Sequence, residues 1–231
     1  MKTIGLIGGL SWESSLEYYR IVNEIVKQRL GGLHSAQCLM FSLDFGPVEA
    51  LMRQENWQEL NIRLVDAAQR LKQGGADFIL ICSNTMHRSA DSIEEQTGVP
   101  VLHIADAAAQ KIKDQKIKKV GLLGTKFAME GDFYRNRLKD KHGIEVIIPE
   151  ETERELVNHV IFQELCLGII RQDSKEQFQK IISALLLRGA EGIVLGCTEI
   201  PLLIKEDDVA APVFDTMTIH ARAAVDYALN G

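Results

Sequence analysis

Two short polar segments of the chain combine residue types that could move a proton. Ser83-Asn84-Thr85 follows one apolar run, and Cys197-Thr198-Glu199 follows another. Both runs are typical of buried parallel strands, and ligands bind beyond the carboxyl ends of such strands. Backbone dipoles at a strand end favour a thiolate, so Cys197 is predicted to be a useful base at neutral pH. Ser83 occupies the equivalent position in the first segment.

The neighbouring residues supply hydrogen-bonding groups for a small ligand. Asn84, Thr85 and Thr198 offer donors. Glu199 offers an acceptor and is the candidate partner of a ligand ammonium. The alternative is that Ser83, Asn84 and Thr198 only cap the helices that follow. A glycine-rich turn, Gly5–Leu10, could also hold a carboxylate through backbone N–H groups, but it matches neither a dinucleotide-binding nor a P-loop motif.

These segments belong to an internal duplication. Lys2–Gly9 is similar to Lys118–Thr125 at an offset of 116 residues, and Asp77–Thr85 is similar to Glu191–Glu199 at an offset of 114. Similar offsets for two separate blocks predict two similar α/β lobes, related by an approximate two-fold axis. The two strand-end segments should then face each other across a cleft, with the serine opposite the cysteine.

The chain alternates strand-like and helix-like segments, which predicts an α/β fold with parallel sheets flanked by helices. The predicted strands are Thr3–Ile7, Gln37–Ser42, Phe78–Ile81, Val101–His103, Val120–Leu123, Glu145–Ile148 and Gly192–Leu195. The predicted helices are Glu13–Leu30, Trp57–Gln73, Ile104–Lys113, Asp132–Lys141, Glu151–Leu167 and Lys175–Leu187. We expect one lobe from residues 1–115 and 213–231, and the other from residues 116–212.

The composition is that of an ordinary globular protein. With 26 Lys and Arg against 32 Asp and Glu, the formal charge is −6, which disfavours nucleic acid as a partner. No apolar run approaches the roughly 20 residues that span a bilayer, and the N-terminus lacks the features of a signal peptide. We therefore expect a cytoplasmic protein with no membrane partner. The four cysteines and six histidines show no metal-ligand spacing, so we expect no metal site.

Four motifs resemble those of the cofactor-independent aspartate/glutamate racemases, in the same order and over nearly the whole chain. They are Ile4–Ser15 (IGLIGGLSWESS), Asn84–His87 (NTMH), Leu123–Thr125 (LGT) and Gly196–Ile200 (GCTEI). The resemblance implies two pseudo-symmetric lobes, a homodimer, no cofactor such as pyridoxal phosphate, and exchange of the α-proton of aspartate or glutamate. Two acid–base groups on opposite sides of Cα perform such an inversion, and a duplicated lobe supplies both.

The resemblance also implies roles for individual residues. Ser83 and Cys197 would be the catalytic pair, although the family's usual first residue is a cysteine. A hydroxyl is a much weaker acid than a thiol, so Ser83 needs an activating neighbour or a water relay. We therefore expect unequal efficiency for the two enantiomers, with a preference for the L-amino acid. The implied substrate-binding positions are Leu10, Met52, Asn84, Thr85, Thr125, Glu164, Thr198 and Glu199.

Several of these assignments leave alternatives open. Met52 stands near a position where related racemases carry a polar side chain such as glutamine, so it either contacts the substrate or packs beneath a mobile loop. Glu164 faces either the substrate or the solvent. His87 is either a proton relay or a local hydrogen-bonding group. Two other functions stay open: a decarboxylase or lyase that uses Cys197 as a one-sided proton donor, and a non-catalytic protein that binds small acids.

Overall fold

The computed structural model describes residues 1–230, which form two compact units. The first unit comprises Met1–His103 and the described residues from His220 onwards, and the second comprises Ile104–Ile219. Gly231, with which the predicted first lobe ends, lies outside the described residues.

The unit boundaries differ from the predicted lobe boundaries in two segments. Residues 104–115 and 213–219 were expected in the first lobe, whereas the structure places them in the second unit. Residues 213–219 belong there because Val213–Asp215 pairs with a strand of that unit. For residues 104–115 the physical reason is burial, because Ile104, Ala109 and Ile112 belong to the second unit's hydrophobic core. Asp106 adds a polar link within that unit, since its carboxylate accepts two hydrogen bonds from the Arg137 guanidinium, at 2.8 and 2.9 Å.

In the first unit, three parallel strands form a sheet of order β2-β1-β3. The strands are β1 (Ile4–Gly8), β2 (Cys38–Ser42) and β3 (Phe78–Ile81), and the helices are α1 (Trp12–Leu30), α2 (Phe45–Arg53), α3 (Trp57–Gln73) and α4 (Ala90–Thr97). A 3₁₀ turn, Thr85–Ser89, lies between β3 and α4. Every residue of β1 and β3 is buried, as expected for strands covered on both faces.

In the second unit, four parallel strands form a sheet of order β5-β4-β6-β7. The strands are β4 (Lys119–Gly124), β5 (Glu145–Ile147), β6 (Gly192–Gly196) and β7 (Val213–Asp215). The helices are α5 (Ile104–Asp114), α6 (Lys126–Glu130), α7 (Asp132–Asn136), α8 (Glu151–Gln163), α9 (Gln172–Leu187) and α10 (Ile200–Leu203), followed by α11 (Thr216–Asn230), which begins in this unit and ends in the first. A π-helical turn, Arg137–Lys141, and two 3₁₀ turns, Leu165–Leu167 and Glu206–Asp208, complete it.

The two sheets repeat the same topology. The order β2-β1-β3 corresponds to β5-β4-β6. The segments that pair with the outer sides of β3 and β6 also correspond. In the first unit Ile79 forms a parallel bridge to Val101, and in the second Ile193 pairs with Val213 in β7. In both places the isoleucine N–H donates to the carbonyl of the proline just before the valine. The Ile79 N–H donates to Pro100 at 2.8 Å, and the Ile193 N–H donates to Pro212 at 2.9 Å. The duplication seen in the sequence is therefore present in the hydrogen bonding of each sheet.

The predicted α/β class, with parallel sheets flanked by helices, is confirmed. Val101 makes only a single bridge instead of the predicted strand Val101–His103, because α5 already begins at Ile104. The predicted helix Glu151–Leu167 is broken at Glu164, whose backbone leaves the helical region at φ −128° and ψ −69°. The short helices α2, α4, α6 and α10 and the C-terminal helix α11 were not among the predicted helices.

Candidate active site

The first unit gathers two turns at the carboxyl edge of its sheet. β1 and β3 are adjacent and parallel, so the segments that follow them leave the sheet side by side. The first segment carries Leu10, which is buried, and the second carries Ser83, which is half-buried. Asn84 and Thr85 come next, and both are buried. The structure thus places four of the predicted site residues at one edge.

The turn after β1 requires glycine. Gly9 has φ +70°, and a Cβ at this position would lie 2.0 Å from the carbonyl oxygen of Leu43. The Gly9 N–H donates to Ser15 Oγ at 2.8 Å. The Gly9 N–H, one of the predicted donors to a ligand carboxylate, therefore already has a hydrogen-bond acceptor within the chain. Ser11 then begins α1 as its N-cap.

Met52 lies in the last turn of α2 and is buried, so it belongs to a helix and not to a loop. The adjacent Arg53 is exposed and pairs with Glu49 one turn earlier in the same helix. A thioether donates no hydrogen bond, so Met52 can offer a ligand only apolar contact. The predicted contact between Met52 and the substrate remains a prediction.

In the second unit, the segment after β6 carries the remaining strand-end residues. Cys197 and Glu199 are buried, and Cys197 Sγ donates to Glu199 Oε2 at 3.0 Å. Thr198 Oγ1 donates to the same oxygen at 2.7 Å. A thiol and a hydroxyl therefore converge on one carboxylate oxygen. The predicted role of Glu199 as partner of a ligand ammonium remains a prediction.

Burial raises the pKa of the Cys197 thiol well above its usual range, and the charge of Glu199 raises it further. Cys166, in the 3₁₀ turn after α8, also raises the pKa of the Cys197 thiol. The prediction that strand-end dipoles would favour the thiolate is therefore wrong, because loss of hydration and a neighbouring negative charge outweigh those dipoles. At neutral pH the resting Cys197 side chain holds its proton.

Thr125 and Glu164 take different places in the second unit. Thr125 follows β4, which pairs with β6, so it lies at the same sheet edge as Cys197. Its side chain caps α6 by accepting from the Ala128 N–H at 3.2 Å. Glu164 lies between α8 and the next 3₁₀ turn, and its Oε2 accepts from Ser174 Oγ at 2.6 Å. The alternative of a solvated Glu164 is wrong, because the residue is buried.

We expect Glu199→Gln to make the Cys197 thiol more reactive. An uncharged amide removes the repulsion that raises the pKa of the thiol, so a larger thiolate fraction is present at a given pH. Alkylation of Cys197 by iodoacetamide, followed by peptide mass spectrometry, should be about tenfold faster than in the wild type at mildly alkaline pH.

Glu164→Gln is the matched control for this measurement. Glu164 is another buried carboxylate of the second unit, but it is bonded to Ser174 and not to the thiol. Its variant should be alkylated at the wild-type rate. Equal alkylation rates in Glu199→Gln and the wild type would show that Glu199 does not control the reactivity of the thiol.

His87 lies in the 3₁₀ turn after Ser83 and is buried. Its Nδ1 is 2.7 Å from the Ser83 carbonyl oxygen, and because a carbonyl only accepts, Nδ1 carries the proton. Of the two alternatives for His87, the geometry therefore shows the local hydrogen bond. The rings of His103 and His220 pack against His87, with centroid distances of 4.7 and 5.3 Å. The sequence held no signal for this cluster, because its members are far apart in the chain.

Two members of the histidine cluster, His87 and His220, are held in their neutral form. Tyr18 Oη donates to His220 Nδ1 at 2.9 Å, and His220 Nε2–H donates to the Leu102 carbonyl at 2.6 Å. Burial lowers the pKa of His220 to about 4. Burial also lowers the pKa of His87 well below its usual range, and the neighbouring histidines lower it further.

We expect the protein to lose stability as the pH falls through the window set by His220. Between about pH 6.5, the ordinary pKa of histidine, and pH 4, the unfolded chain binds a proton here that the folded chain does not. The free energy of unfolding should therefore fall by about 3 kcal/mol across this window, as measured by urea unfolding. His220→Gln keeps a donor for the Leu102 carbonyl but cannot titrate, so its pH dependence should be shallower. Identical slopes would contradict this.

Residues 1–230 contain neither a metal cluster nor a membrane-spanning helix. Within this range, no group of three or more His, Cys, Asp or Glu side chains is placed to hold a metal ion. No helix of the described chain has both the length and the apolar character needed to cross a bilayer.

The chain matches the family described as Asp/Glu/hydantoin racemase over residues 7–224. Its fold matches the crystal structure of a candidate Asp/Glu racemase from Yersinia pestis with a TM-score of 0.94. The two sequences are 53% identical, and the match covers 100% of both chains. A crystal structure of PH1733 from Pyrococcus horikoshii OT3, an aspartate racemase homologue, is 37% identical with a TM-score of 0.86, again over 100% of both chains.

A curated relative agrees with these structures. The broad specificity amino-acid racemase RacX of Bacillus subtilis is 26% identical over 171 residues, which are 72% of this chain and 71% of RacX. The matched family range contains both strand-end segments and all strands of the two sheets except the first three residues of β1. The chain therefore belongs to the Asp/Glu/hydantoin racemase family, and it is an isomerase.

Proposed function

We propose that the protein interconverts the enantiomers of aspartate, glutamate or both, without a pyridoxal cofactor. One observation supports this proposal above the others. In a chain of the racemase family, each of the two repeated sheets has a buried strand that is followed by a side chain able to exchange a proton, Ser83 after β3 and Cys197 after β6. Stereoinversion needs two such groups, because one proton leaves Cα on one face while another arrives on the opposite face.

The exchange requires one group to be ionised while the other holds a proton. The resting Cys197 thiol is protonated, but it is still the more acidic of the two groups, so the reactive form is the minor one with a Cys197 thiolate and a Ser83 alcohol. Cys197 takes the Cα proton and Ser83 gives its own proton to the other face of the carbanion. Water then reprotonates the Ser83 alkoxide, and the hydroxide that this leaves accepts the thiol proton.

Removal of the Cα proton from the other face, as reaction of the D-amino acid requires, is less easy because Ser83 would have to act as the base. We therefore propose that the L-amino acid, losing its proton to Cys197, is the better substrate. The two enantiomers have equal free energy in water, so kcat/KM must be the same in both directions. The inequality has to appear in kcat and in the exchange of Cα hydrogen without inversion.

The substrate-binding set that we propose combines donors, apolar side chains and carboxylates. Its members are Leu10, Met52, Asn84, Thr85, Thr125, Glu164, Thr198 and Glu199. The similarity to the candidate Asp/Glu racemase from Yersinia pestis supports an acidic substrate. Met52 and Glu164 offer no donor to a side-chain carboxylate, so neutral amino acids belong in the substrate test as well.

Deuterium incorporation from heavy water tests the activity directly. Each enantiomer of aspartate, of glutamate and of a neutral amino acid such as alanine is incubated with the enzyme. Loss of the Cα–H signal is followed by NMR, and inversion is followed by chiral chromatography. We expect both exchange and inversion, with the larger kcat for the L-amino acid. Failure of every tested amino acid to exchange its Cα hydrogen would overturn the proposal.

A decarboxylase or lyase is the second candidate, and the serine at position 83 is the observation that favours it. A single thiol suffices when a carbanion formed by loss of carbon dioxide needs a proton on one face only. Release of carbon dioxide from a substituted malonate, without racemisation of amino acids, would support this candidate. Tight binding of small acids with neither reaction would support a non-catalytic binding protein.

We also propose that the protein is a cytoplasmic homodimer. Trp12, Leu16 and Tyr19 on α1 are exposed at a spacing that places them on one helix face. A contiguous exposed apolar face of this kind is typical of a protein–protein contact, and a second copy of the chain is the occupant we propose.

A further inference from the structure

The two strand-end turns are closed by different hydrogen bonds. In the second unit, the Ile200 N–H donates to the Cys197 carbonyl at 3.2 Å, so the backbone itself holds the reactive residue. In the first unit, the backbone turn begins one residue later, with the His87 N–H donating to the Asn84 carbonyl at 3.1 Å. The Ser83 carbonyl, which corresponds to that of Cys197, therefore needs another donor.

The side chain of His87 is that donor. Its Nδ1–H donates to the Ser83 carbonyl at 2.7 Å. At the offset of the duplication, the residue that corresponds to His87 is Pro201, whose side chain has no donor. The side-chain bond thus belongs only to the unit whose reactive group is a hydroxyl.

Packing fixes the orientation of the His87 ring. The residue is only 3% exposed, and the rings of His103 and His220 lie against it. A neutral imidazole has a single N–H, and the Ser83 carbonyl requires it at Nδ1. His220 is itself fixed by its bond from Tyr18, so the surroundings of His87 are rigid.

We propose that His87 is a positioning residue that sets the direction of the Ser83 hydroxyl. On the N-terminal side of Ser83, the Cys82 N–H donates to the Ile7 carbonyl at 3.0 Å. On the C-terminal side, His87 holds the next peptide group. The chain is therefore held one residue before Ser83 and at the peptide group after it, so the main freedom left to the hydroxyl is rotation about χ1. This role rests on the proposed function, because the direction of the hydroxyl matters only if Ser83 exchanges a proton.

Two substitutions of similar shape test this role. His87→Asn keeps an N–H close to the place of Nδ1, whereas His87→Gln carries its amide to the place of Nε2 and leaves the Ser83 carbonyl without a donor. His87→Gln should lower the kcat for inversion by about tenfold or more with little change in KM, since small displacements of reacting groups are costly. His87→Asn should stay within about threefold of the wild type.

A Ser83→Ala background separates positioning from general damage. Ser83→Ala should abolish most inversion but leave slow Cα exchange at the face served by Cys197. If His87 acts through Ser83, adding His87→Gln to this variant causes no further loss of that exchange. A further loss, or equal kcat values for the Gln and Asn variants, would overturn the positioning role alone. Unchanged inversion in Ser83→Ala would overturn the catalytic role of Ser83, and the role of His87 with it, whereas absence of exchange in the wild type would overturn the proposed function.

Discussion

Cys197→Ala should reduce both inversion and Cα hydrogen exchange by about 10³-fold or more. The thiol is the more acidic of the two proposed catalytic groups, so without it the pair loses the group that most readily ionises to take the Cα proton. Cys197 also follows β6 directly and is buried, so methyl for thiol is a small change in volume that should leave the fold intact. Deuterium incorporation into L- and D-aspartate and L- and D-glutamate measures the loss.

Cys38→Ala provides the matched control for this loss. Cys38 lies in β2 of the first unit and is half-buried, so the same substitution removes a thiol that has no proposed role in the chemistry. Its exchange rates should equal those of the wild type. Retention of more than about a tenth of the wild-type rate in Cys197→Ala would rule out Cys197 as the principal acid–base group.

Local sequence patterns predicted those elements whose ends are marked by residues next to them in the chain. The strand Phe78–Ile81 and the helix Trp57–Gln73 were predicted to the residue. The strand is a continuous apolar run, and the helix begins after the capping side chain of Asn56 and ends at Gly74. The short α2 was missed because nine residues carry too little periodic signal, and the unit boundary near Ile104 depends on packing that no local pattern shows.

The positions of the reactive groups could be predicted, but their electrostatics could not. Ser83 and Cys197 follow from the strand ends and the duplication, which the sequence displays directly. The direction of the pKa shift at Cys197 depends on burial and on the carboxylate of Glu199 turning back towards the thiol. The contact of His87 with His103 depends on long-range packing as well. Both are properties of the folded chain and not of a motif.

Ser83→Cys should raise the kcat for inversion of the D-amino acid by about 10²-fold. In the wild type, reaction from the D side needs the Ser83 hydroxyl as a base, and an alcohol ionises far less readily than a thiol. A cysteine at this position makes the two groups chemically alike, so the kcat values for the two enantiomers should converge. Sulfur for oxygen adds little volume, and position 83 is half-buried, so the site after β3 should accept a thiol.

Ser83→Thr is the control, because it keeps a hydroxyl and adds one methyl group. It should retain the proposed preference for the L-amino acid, whereas Ser83→Ala should lose most inversion. Chiral chromatography of reactions started from each enantiomer distinguishes the three variants. If Ser83→Cys behaved like Ser83→Ala, the side chain at position 83 would not reach Cα, and the weak acidity of serine could not be the cause of unequal rates. If all variants inverted at the wild-type rate, the second proton would come from water or from another residue.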